Sequence, residues 1–298
     1  MSDAPKSPLM GRMMSQPLLI SSIIQYADRY FGATEIVSRR VEGDLHRYTW
    51  RDCHRRARRL ANALAALGVG MGDRAGTIAW NGYRHLEAYY AVSGSGAVLH
   101  TINPRLHPEQ IAYMLNHAED RVLLFDLTFL PLVEAVAPHC PQVKAWVAMC
   151  GPESMPTGSR LEPLLCYEEW LDAASDAYEW PLFDENSASS LCYTSGTTGN
   201  PKGALYSHRS TLLHSYASVM PDALNVSARD TVLPVVPMFH VNAWGLPYSV
   251  PLTGARLVFP GPALDGKSLY ELFEQEKVSF SAGVPTVWHG LLNYVREN

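Results

Sequence analysis

The stretch YTSGTTGNPKGALYSH, residues 193–208, decides the fold class of this sequence. Four hydroxyl residues and two glycines occupy positions 194–199, and one lysine, Lys202, follows them. The preceding SSLCY has the composition of a buried strand that ends at Tyr193, and the following SHRSTLLHSYASVM has a helical pattern with Ser207 near its N-cap. The stretch is therefore predicted to form a loop at the carboxyl end of a parallel strand, where open α/β sheets bind ligands.

The composition of this loop indicates that it binds a polyphosphate. Gly196 and Gly199 allow the backbone to approach a ligand closely, the hydroxyls can donate to phosphate oxygens or reach a metal ion, and Lys202 is a mobile cation. A Walker loop is excluded, because Pro201 precedes the lysine and Gly203 follows it, where that motif requires Gly and then Ser or Thr. A polar surface loop without a ligand is the competing interpretation.

Outside the loop, helical and strand patterns alternate along the whole chain. TWRDCHRRARRLANALAALG reads as a helix that starts at a Thr49-x-x-Asp52 capping box and ends at Gly68. RAGTIAW, AVLHTI, RVLLFD and VKAWVAMC read as buried strands separated by helices. After a Gly- and Pro-rich connection at 151–163, a second alternating series continues to the last residue. This alternation predicts parallel sheets flanked by helices.

Composition excludes several classes of function. The 298 residues carry 24 Lys and Arg against 29 Asp and Glu, so nothing favours nucleic-acid binding. The five cysteines form no CxxC pair, which favours a reducing compartment and argues against structural zinc. Cys192 is interpreted as a small core residue, not a nucleophile. No apolar run reaches the roughly 18 residues of a membrane span, so a cytoplasmic protein without integral membrane contact is expected.

TSGTTGNPKG at 194–203 resembles the signature of the adenylate-forming enzymes, which include acyl-CoA synthetases, luciferases and nonribosomal peptide adenylation domains. VVPMFHVNAWGLPYSVPLTGARLVFPG and SFSAGVPTVW resemble later blocks of that family. GAVLHTINPRLHPEQIAYMLNHAEDRVLLFD is similar to bacterial medium- and long-chain fatty-acyl-CoA synthetases. The resemblance implies a tail at 1–17 and, over 18–298, part of the large α/β domain of an adenylate-forming enzyme. Two α/β subdomains are expected to meet near 151–185.

The resemblance also implies a reaction and its co-substrates. A fatty acid would react with ATP and Mg²⁺ to give an acyl-adenylate, and the thiol of coenzyme A would then displace AMP. By the family pattern, six consecutive positions would hold the ATP phosphates, namely Thr194, Ser195, Gly196, Thr197, Thr198 and Gly199. The Thr194 hydroxyl is the candidate magnesium contact, and Lys202 would screen the departing pyrophosphate.

The acyl pocket is predicted from two further segments. His240, in PMFHVNAWG, matches the family position near the substrate carboxylate, although a lone His is more often a packed structural residue. Trp244 is expected to form or gate an apolar channel if a helix begins there; the alternative is a core residue. AGVPT contributes the expected floor of the pocket, namely Gly283, Val284, Pro285 and Thr286.

The sequence departs from the family after Asn298. It contains neither a Y-G-x-T-E block nor a T-G-D block, nor the small C-terminal domain with its lysine, so the chain is expected to be truncated and inactive alone in forming acyl-CoA. Alternatives left open are a ligase for a short thioether or aryl acid, an oxygen-using luciferase, a split enzyme, and a non-catalytic protein that binds a nucleotide or an acyl chain. A homodimer is considered, with PLLISSIIQYA packing against a partner.

Overall fold

The computed structural model describes residues 9–194 and 200–298. Residues 9–17 form an irregular, largely exposed N-terminal segment. None of the helices in the described ranges combines the length and the hydropathy that a membrane crossing requires.

Helices and strands follow the alternation that the sequence predicts. The described strands are β1 (Glu35–Arg39), β2 (Leu45–Thr49), β3 (Arg74–Ile78), β4 (Val98–Thr101), β5 (Asp120–Phe125), β6 (Ala145–Ala148), β7 (Leu164–Cys166), β8 (Ala188–Thr194), β9 (Lys202–Ser207), β10 (Thr231–Pro234), β11 (Arg256–Phe259) and β12 (Phe280–Ala282). The described α-helices are α1 (Ile20–Phe31), α2 (Trp50–Ala66), α3 (Tyr83–Gly94), α4 (Pro108–Ala118), α5 (Leu130–Val136), α6 (Tyr167–Asp172), α7 (His208–Ser218), α8 (Leu246–Thr253), α9 (Gly266–Glu276) and α10 (Pro285–Glu297). The Thr49–Asp52 capping box forms as predicted, with both reciprocal hydrogen bonds present.

The described strands assemble into two mixed sheets. One has the order β7-β6-β5-β3-β4-β8-β9 and is parallel except for the β8–β9 pair. The other has the order β12-β10-β11-β1-β2 and is parallel except for the β1–β2 pair. Both antiparallel pairs connect strands that are neighbours in sequence, because only an antiparallel pair can be joined by a short connection.

Helices cover both faces of both sheets. Residues of α1, α2, α3 and α8 share one core cluster with inward side chains of the two sheets, and every residue of α3 is buried. Along β5, Val122 and Leu124 join this inner cluster, whereas Leu123 and Phe125 pack outward with α4 and α5. On the other sheet, α9 and α10 cover the outward side chains. Strand side chains alternate between faces, and the resulting order is helix, sheet, helix, sheet, helix.

Two features of the fold differ from the sequence expectations. β9 was missed: an antiparallel strand paired with β8 precedes α7, so that β8 and β9 form a hairpin. The strands also do not divide between the sheets near 151–185, because β1 precedes that stretch and pairs with β11, whereas β8 follows it and pairs with β4. The expected subdomain division therefore finds no counterpart in sheet membership and stays a prediction.

The N-terminal apolar segment packs inside the chain and not on a surface open to a partner. Ile20, Ile23, Ile24 and Ala27 of α1 are buried in the inner cluster. The backbone N–H of Ile20 donates to Nδ1 of His208 at 3.1 Å. The surface that this segment was expected to offer to a second copy is therefore already used within the chain, and a homodimer stays a prediction without that support.

Candidate substrate-binding site

The hairpin of β8 and β9 presents the two ends of the predicted phosphate loop side by side. Thr194 is the last residue of β8, Lys202 is the first residue of β9, and the two are paired in register. The Thr194 hydroxyl lies 3.4 Å from the carbonyl oxygen of Lys202, and both residues are exposed. Ser195, Gly196, Thr197, Thr198 and Gly199 lie outside the described residues. The structure therefore places the two flanking members of the predicted site and leaves the five between them as predictions.

The side of the hairpin next to α4 is tightly packed. The Tyr193 hydroxyl lies 2.6 Å from Nδ1 of His117 on α4. A Cβ atom at Gly203 would lie 2.8 Å from Cδ1 of Leu191 and 3.4 Å from Cζ of Tyr193. A larger residue at position 203 would therefore displace the Leu191 side chain, which favours glycine after Lys202. From the sequence, Gly203 was interpreted as a departure from the Walker pattern and as the last residue of the TSGTTGNPKG signature, without this packing role.

In the described part of the hairpin, the Thr194 hydroxyl is the candidate ligand for Mg²⁺. Across residues 9–194 and 200–298, no three or more His, Cys, Asp and Glu side chains form a group that could hold a metal ion. Mg²⁺ in nucleotide sites takes much of its coordination from phosphates and water. The described donor set therefore fits an ion that arrives with a nucleotide and does not fit an ion held by these residues alone.

A left-handed turn carries Trp244. Val241, Asn242, Ala243 and Trp244 have φ values of 48, 48, 49 and 56°, and Gly245 has 78°. Side chains in this region cost roughly 1–2 kcal/mol per residue, so tertiary contacts must hold the turn. α8 begins only at Leu246. The condition attached to the channel role of Trp244, that a helix begins there, is therefore not met, because the left-handed turn precedes α8.

Asn242 supplies those contacts and was not singled out from the sequence. Its Nδ2 donates to the Ser190 hydroxyl at 2.9 Å, and its Oδ1 lies 3.4 Å from Sγ of Cys192 and 3.3 Å from the Tyr89 hydroxyl. Ser190 and Cys192 belong to β8, the strand that ends at Thr194. The turn is thus tied directly to the strand that leads into the phosphate loop. Cys192 is buried, and burial raises the pKa of its thiol, as expected for a core residue.

Trp244 lines the larger of two cavities near this turn, with a volume of about 650 Å³. We call it the Trp244 cavity. Its lining is His214, Ala217, Ser218, Ala223, Leu224, Trp244, Leu246, Phe280, Ser281, Ala282, Gly283 and Trp288. Most of these side chains are apolar, and the volume lies in the range of small-molecule sites. Trp244 is 48% exposed and is therefore not the core residue that the alternative interpretation allowed.

His240 lines a second cavity of about 210 Å³, the His240 cavity. Its lining is Trp80, Asn81, Asn103, Arg105, Val235, Pro237, Phe239, His240, Gly261, Leu264, Val284 and Val287. The Arg105 guanidinium lies over the Phe239 ring, with its Cζ 5.8 Å from the ring centroid. Polar and charged side chains are more frequent in this lining than in that of the Trp244 cavity.

The predicted acyl-pocket residues separate between these two cavities. Trp244 and Gly283 line the larger, and His240 and Val284 line the smaller. Pro285 and Thr286 are missing from the described lining of both, because they form the exposed first turn of α10. The predicted residues thus line two cavities, α10 contributes Val287 to one and Trp288 to the other, and their role as one acyl pocket stays a prediction.

Asn81 joins the two sheets beside the His240 cavity. Its Nδ2 donates to the carbonyls of Pro234 and Val236 at 2.8 and 2.9 Å, and its Oδ1 accepts from the backbone N–H of Met238 at 2.7 Å. The Tyr89 hydroxyl donates to the Met238 carbonyl at 2.5 Å. These bonds fix the backbone that leads to His240. Sequence reasoning missed Asn81, since a single Asn after a strand carries no signal of a contact that is distant in sequence.

The layered α/β fold, with the hairpin of β8 and β9 on either side of the signature motif, is that of an adenylate-forming enzyme domain, and the comparisons with known proteins agree. The chain belongs to the AMP-binding enzyme family, whose profile matches residues 25–298. This confirms the predicted family and fold class.

The relatives include proteins with two different acid names. The chain is 57% identical over 284 residues to a medium-chain-fatty-acid–CoA ligase from Ectopseudomonas oleovorans, covering 95% of this chain and 52% of the relative. It is 55% identical to a 3-methylmercaptopropionyl-CoA ligase from Ruegeria lacuscaerulensis, with the same coverage. The chain thus spans about half the length of the curated relatives it matches.

A solved structure shows the same fold at lower identity. The crystal structure of a long-chain-fatty-acid-CoA ligase from Archaeoglobus fulgidus superposes with a TM-score of 0.80 at 21% identity. The match covers 98% of this chain and 57% of that one. At this identity the likeness supports the fold alone.

Proposed function

We propose that this chain is the N-terminal part of an AMP-forming acid–thiol ligase that activates a fatty acid and transfers it to coenzyme A. The observation that carries the proposal is the apolar Trp244 cavity, whose turn is hydrogen-bonded to the strand leading into the phosphate loop. A carboxylic acid with an apolar chain needs this combination, since its tail must be buried while its carboxylate meets ATP.

In the proposed reaction a carboxylate oxygen bonds to the α-phosphorus of ATP, and the bond from that phosphorus to the bridging oxygen of pyrophosphate breaks. The thiol sulfur of coenzyme A, after losing its proton, then attacks the acyl carbon, and AMP leaves with the electron pair of the mixed-anhydride bond. Bound Mg²⁺ would supply charge neutralisation at the phosphates. Preorganised donors and cations are the main catalytic resource for such transfers.

Several residues of this chain would have separate roles in the proposed reaction. Thr194 to Gly199 would hold the phosphates, and the Thr194 hydroxyl would contact the magnesium ion. Lys202 would screen the charge of departing pyrophosphate, for which its exposed position at the start of β9 is suitable. His240 would orient the carboxylate, supported by the polar lining of its cavity. We also propose a cytoplasmic location.

One alternative has a specific observation behind it. The similarity to the 3-methylmercaptopropionyl-CoA ligase is nearly as high as that to the medium-chain enzyme. A short thioether acid would occupy little of an apolar cavity of about 650 Å³, so a longer acyl chain is the better match. Comparing decanoic acid with 3-(methylthio)propionic acid in the binding assay below separates the two.

The proposal is tested by binding and by product analysis with the purified 298-residue chain. We expect decanoic acid to displace a fluorescent fatty acid from the wild type, and ATP binding to weaken about tenfold or more in Lys202→Met. Lys277→Met is the matched control, because Lys277 is an exposed lysine outside both cavities. A chain that binds neither acid nor ATP would contradict the proposal.

We also propose that this chain alone does not form acyl-CoA at a useful rate, which a turnover assay tests. We expect no useful rate of acyl-CoA formation from decanoic acid, ATP, Mg²⁺ and coenzyme A, and robust turnover would overturn that expectation. The intact mass of the protein in its native source should accompany this assay. A mass well above 33.0 kDa would identify the chain as a fragment, whereas a mass of 33.0 kDa would favour a partner-dependent or non-catalytic role.

A further inference from the structure

Trp288, the fourth residue of α10, lines the Trp244 cavity together with Trp244 itself. Its indole N–H donates to the carbonyl of Gly283 at 3.1 Å. The ring is partly buried and lies beside Gly283 and Phe280 in the cavity lining. A hydrogen bond from the only polar atom of the side chain fixes its orientation.

The indole ring of Trp288 packs closely against Gly283. A Cβ atom at position 283 would lie 2.6 Å from Cζ2 of Trp288 and 3.1 Å from Cε2. The φ angle of Gly283 lies outside the left-handed region, so the backbone itself tolerates alanine. Glycine is therefore needed at this position because of Trp288, and not primarily to leave space for a ligand.

Further contacts restrict the movement of the Trp288 ring. Phe273 packs edge-on to Trp288 with ring centroids 6.5 Å apart. The indole also packs against the apolar cluster beneath α9, which contains Leu233, Val258 and Leu269. Gly283 and this cluster occupy two sides of the ring, and the ring also lines the cavity.

We propose that Trp288 is a specificity-determining residue that sets the longest acyl chain the Trp244 cavity can hold. This inference rests on the proposed function and adds the residue that limits the substrate. Trp288 is hydrogen-bonded and packed, whereas Trp244 is 48% exposed. Of the two tryptophans, Trp288 is therefore the fixed boundary of the cavity.

The test measures Kd for saturated acids from hexanoic to hexadecanoic acid, by displacement of cis-parinaric acid from the 298-residue chain. Each methylene that the cavity covers should tighten binding about fourfold, until the cavity is filled and Kd reaches a plateau. In Trp288→Leu the plateau should move to longer acids by at least two methylenes, so that these acids bind about sixteenfold tighter than to the wild type, or more. Trp288→Phe should move it less, in the same direction.

Gly283→Ala should move the plateau the opposite way. The added methyl group pushes the indole toward the cavity, so the longest acids should bind about fivefold weaker or more, and short acids within about twofold of the wild type. Gly290→Ala is the matched control on the same helix, because a Cβ there meets nothing within 4 Å. It should leave the plateau unchanged.

Opposite shifts distinguish a specificity role from a structural one, since destabilisation alone would weaken all acids together. The inference is overturned by an unmoved plateau in Trp288→Leu and Trp288→Phe, or by shifts in the same direction for the Trp288 and Gly283 variants. A wild type that binds no acid contradicts the proposed function, and the inference with it. Length-dependent binding without a shift contradicts the role of Trp288 alone.

Discussion

The Trp244 cavity and the His240 cavity share two chain segments in their linings but differ in chemistry. Residues 240–244 contribute His240 to one and Trp244 to the other. The segment around the start of α10 contributes Val284 and Val287 to the smaller cavity, and Gly283 and Trp288 to the larger. A shift of a few residues along a turn or a helix therefore decides which cavity a side chain enters.

The difference between the cavities assigns them different parts of a substrate. The Trp244 cavity is apolar and about three times larger, and suits a hydrocarbon chain. The His240 cavity carries Arg105, Asn103 and His240, which suit the polar or anionic end of a ligand. The backbone around the two cavities is also stabilised by different contacts. Buried hydrogen bonds from Asn81 fix the backbone at the smaller one, whereas a strained turn forms one side of the larger.

The largest predicted effect is on the hydrogen bonds that hold the His240 cavity. In Asn81→Asp a carboxylate would face the carbonyls of Pro234 and Val236, both of which accept from Asn81 at present. Two buried hydrogen bonds are lost and an unpaired charge is buried, so we expect the free energy of unfolding to fall by about 3–5 kcal/mol. Urea denaturation measures this directly.

The control for Asn81 lies in the same cavity. Asn103 is only partly buried, and its Oδ1 accepts one local bond from the backbone N–H of Arg105 at 3.0 Å. Asn103→Ala should cost no more than about 1 kcal/mol. An equal decrease in the free energy of unfolding in both variants would mean that the hydrogen bonds of Asn81 between the two sheets contribute no more to stability than the local bond of Asn103.

A pH effect of up to about 4 kcal/mol is expected from Asp126, which accepts the backbone N–H of Trp80 at 2.7 Å. Burial raises the pKa of Asp126 from 3.8 to about 7, opposed by that hydrogen bond and by Arg84 and assisted by Glu42. The folded protein keeps the proton up to about pH 7, whereas the unfolded chain loses it near pH 4. Wild-type stability should therefore fall as pH rises through this window, within the limit that a pKa difference of about three sets.

Asp126→Asn removes this titration. Its stability relative to the wild type should increase between pH 4 and pH 8, as measured by urea midpoints across that range. Asp44→Asn serves as the control, because hydrogen bonding to Arg40 lowers the pKa of Asp44 and its stabilising effect is lost only toward acid. A constant difference between Asp126→Asn and the wild type from pH 4 to pH 8 would show that Asp126 is ionised throughout.

A smaller effect, confined to the Trp244 cavity, is expected from Trp244→Ala. The replacement keeps the backbone carbonyl that faces Nε2 of His214 at 3.2 Å, and it removes an apolar surface from the cavity lining. Affinity for long acids should fall about tenfold, a loss typical of one buried aromatic contact, and the chain-length profile should change. Displacement titration measures both quantities, with Tyr270→Ala as an exposed aromatic control outside both cavities. An unchanged acid profile would count against a role of Trp244 in forming or gating the channel.

Most of the fold could be predicted because its signals are local. The capping box at Thr49 and the apolar strands that follow α2 were identified from adjacent residues, and each formed as expected. β9 was missed because Lys202–Ser207 has neither a long apolar run nor strict alternation, and its burial is partial. Membership of the two sheets was also beyond sequence reasoning, since the pairing of β1 with β11 depends on contacts between distant segments.

The candidate site could be predicted only as far as motifs extend. The phosphate motif pointed to Thr194 and Lys202, which the hairpin brings together. Asn81, Asn242 and Trp288 escaped notice because their roles depend on partners distant in sequence or on a ring packed against a glycine. The separation of the acyl-pocket residues between two cavities could not be foreseen either, because it depends on the left-handed turn between His240 and Trp244 and on how the chain enters α10 after Gly283.

The smallest predicted effect tests that separation. Thr286 was expected in the acyl pocket, yet it is exposed on the first turn of α10 and is missing from the described lining of both cavities. Thr286→Ala should therefore leave Kd for every acid of the series within about twofold of the wild type, since no apolar surface in either cavity changes. The neighbouring Val287 lines the His240 cavity, so Val287→Ala is the matched variant that should alter binding of the polar end and shift all acids together. A tenfold change in Thr286→Ala would return that residue to the pocket and show that the bound state draws the start of α10 inward.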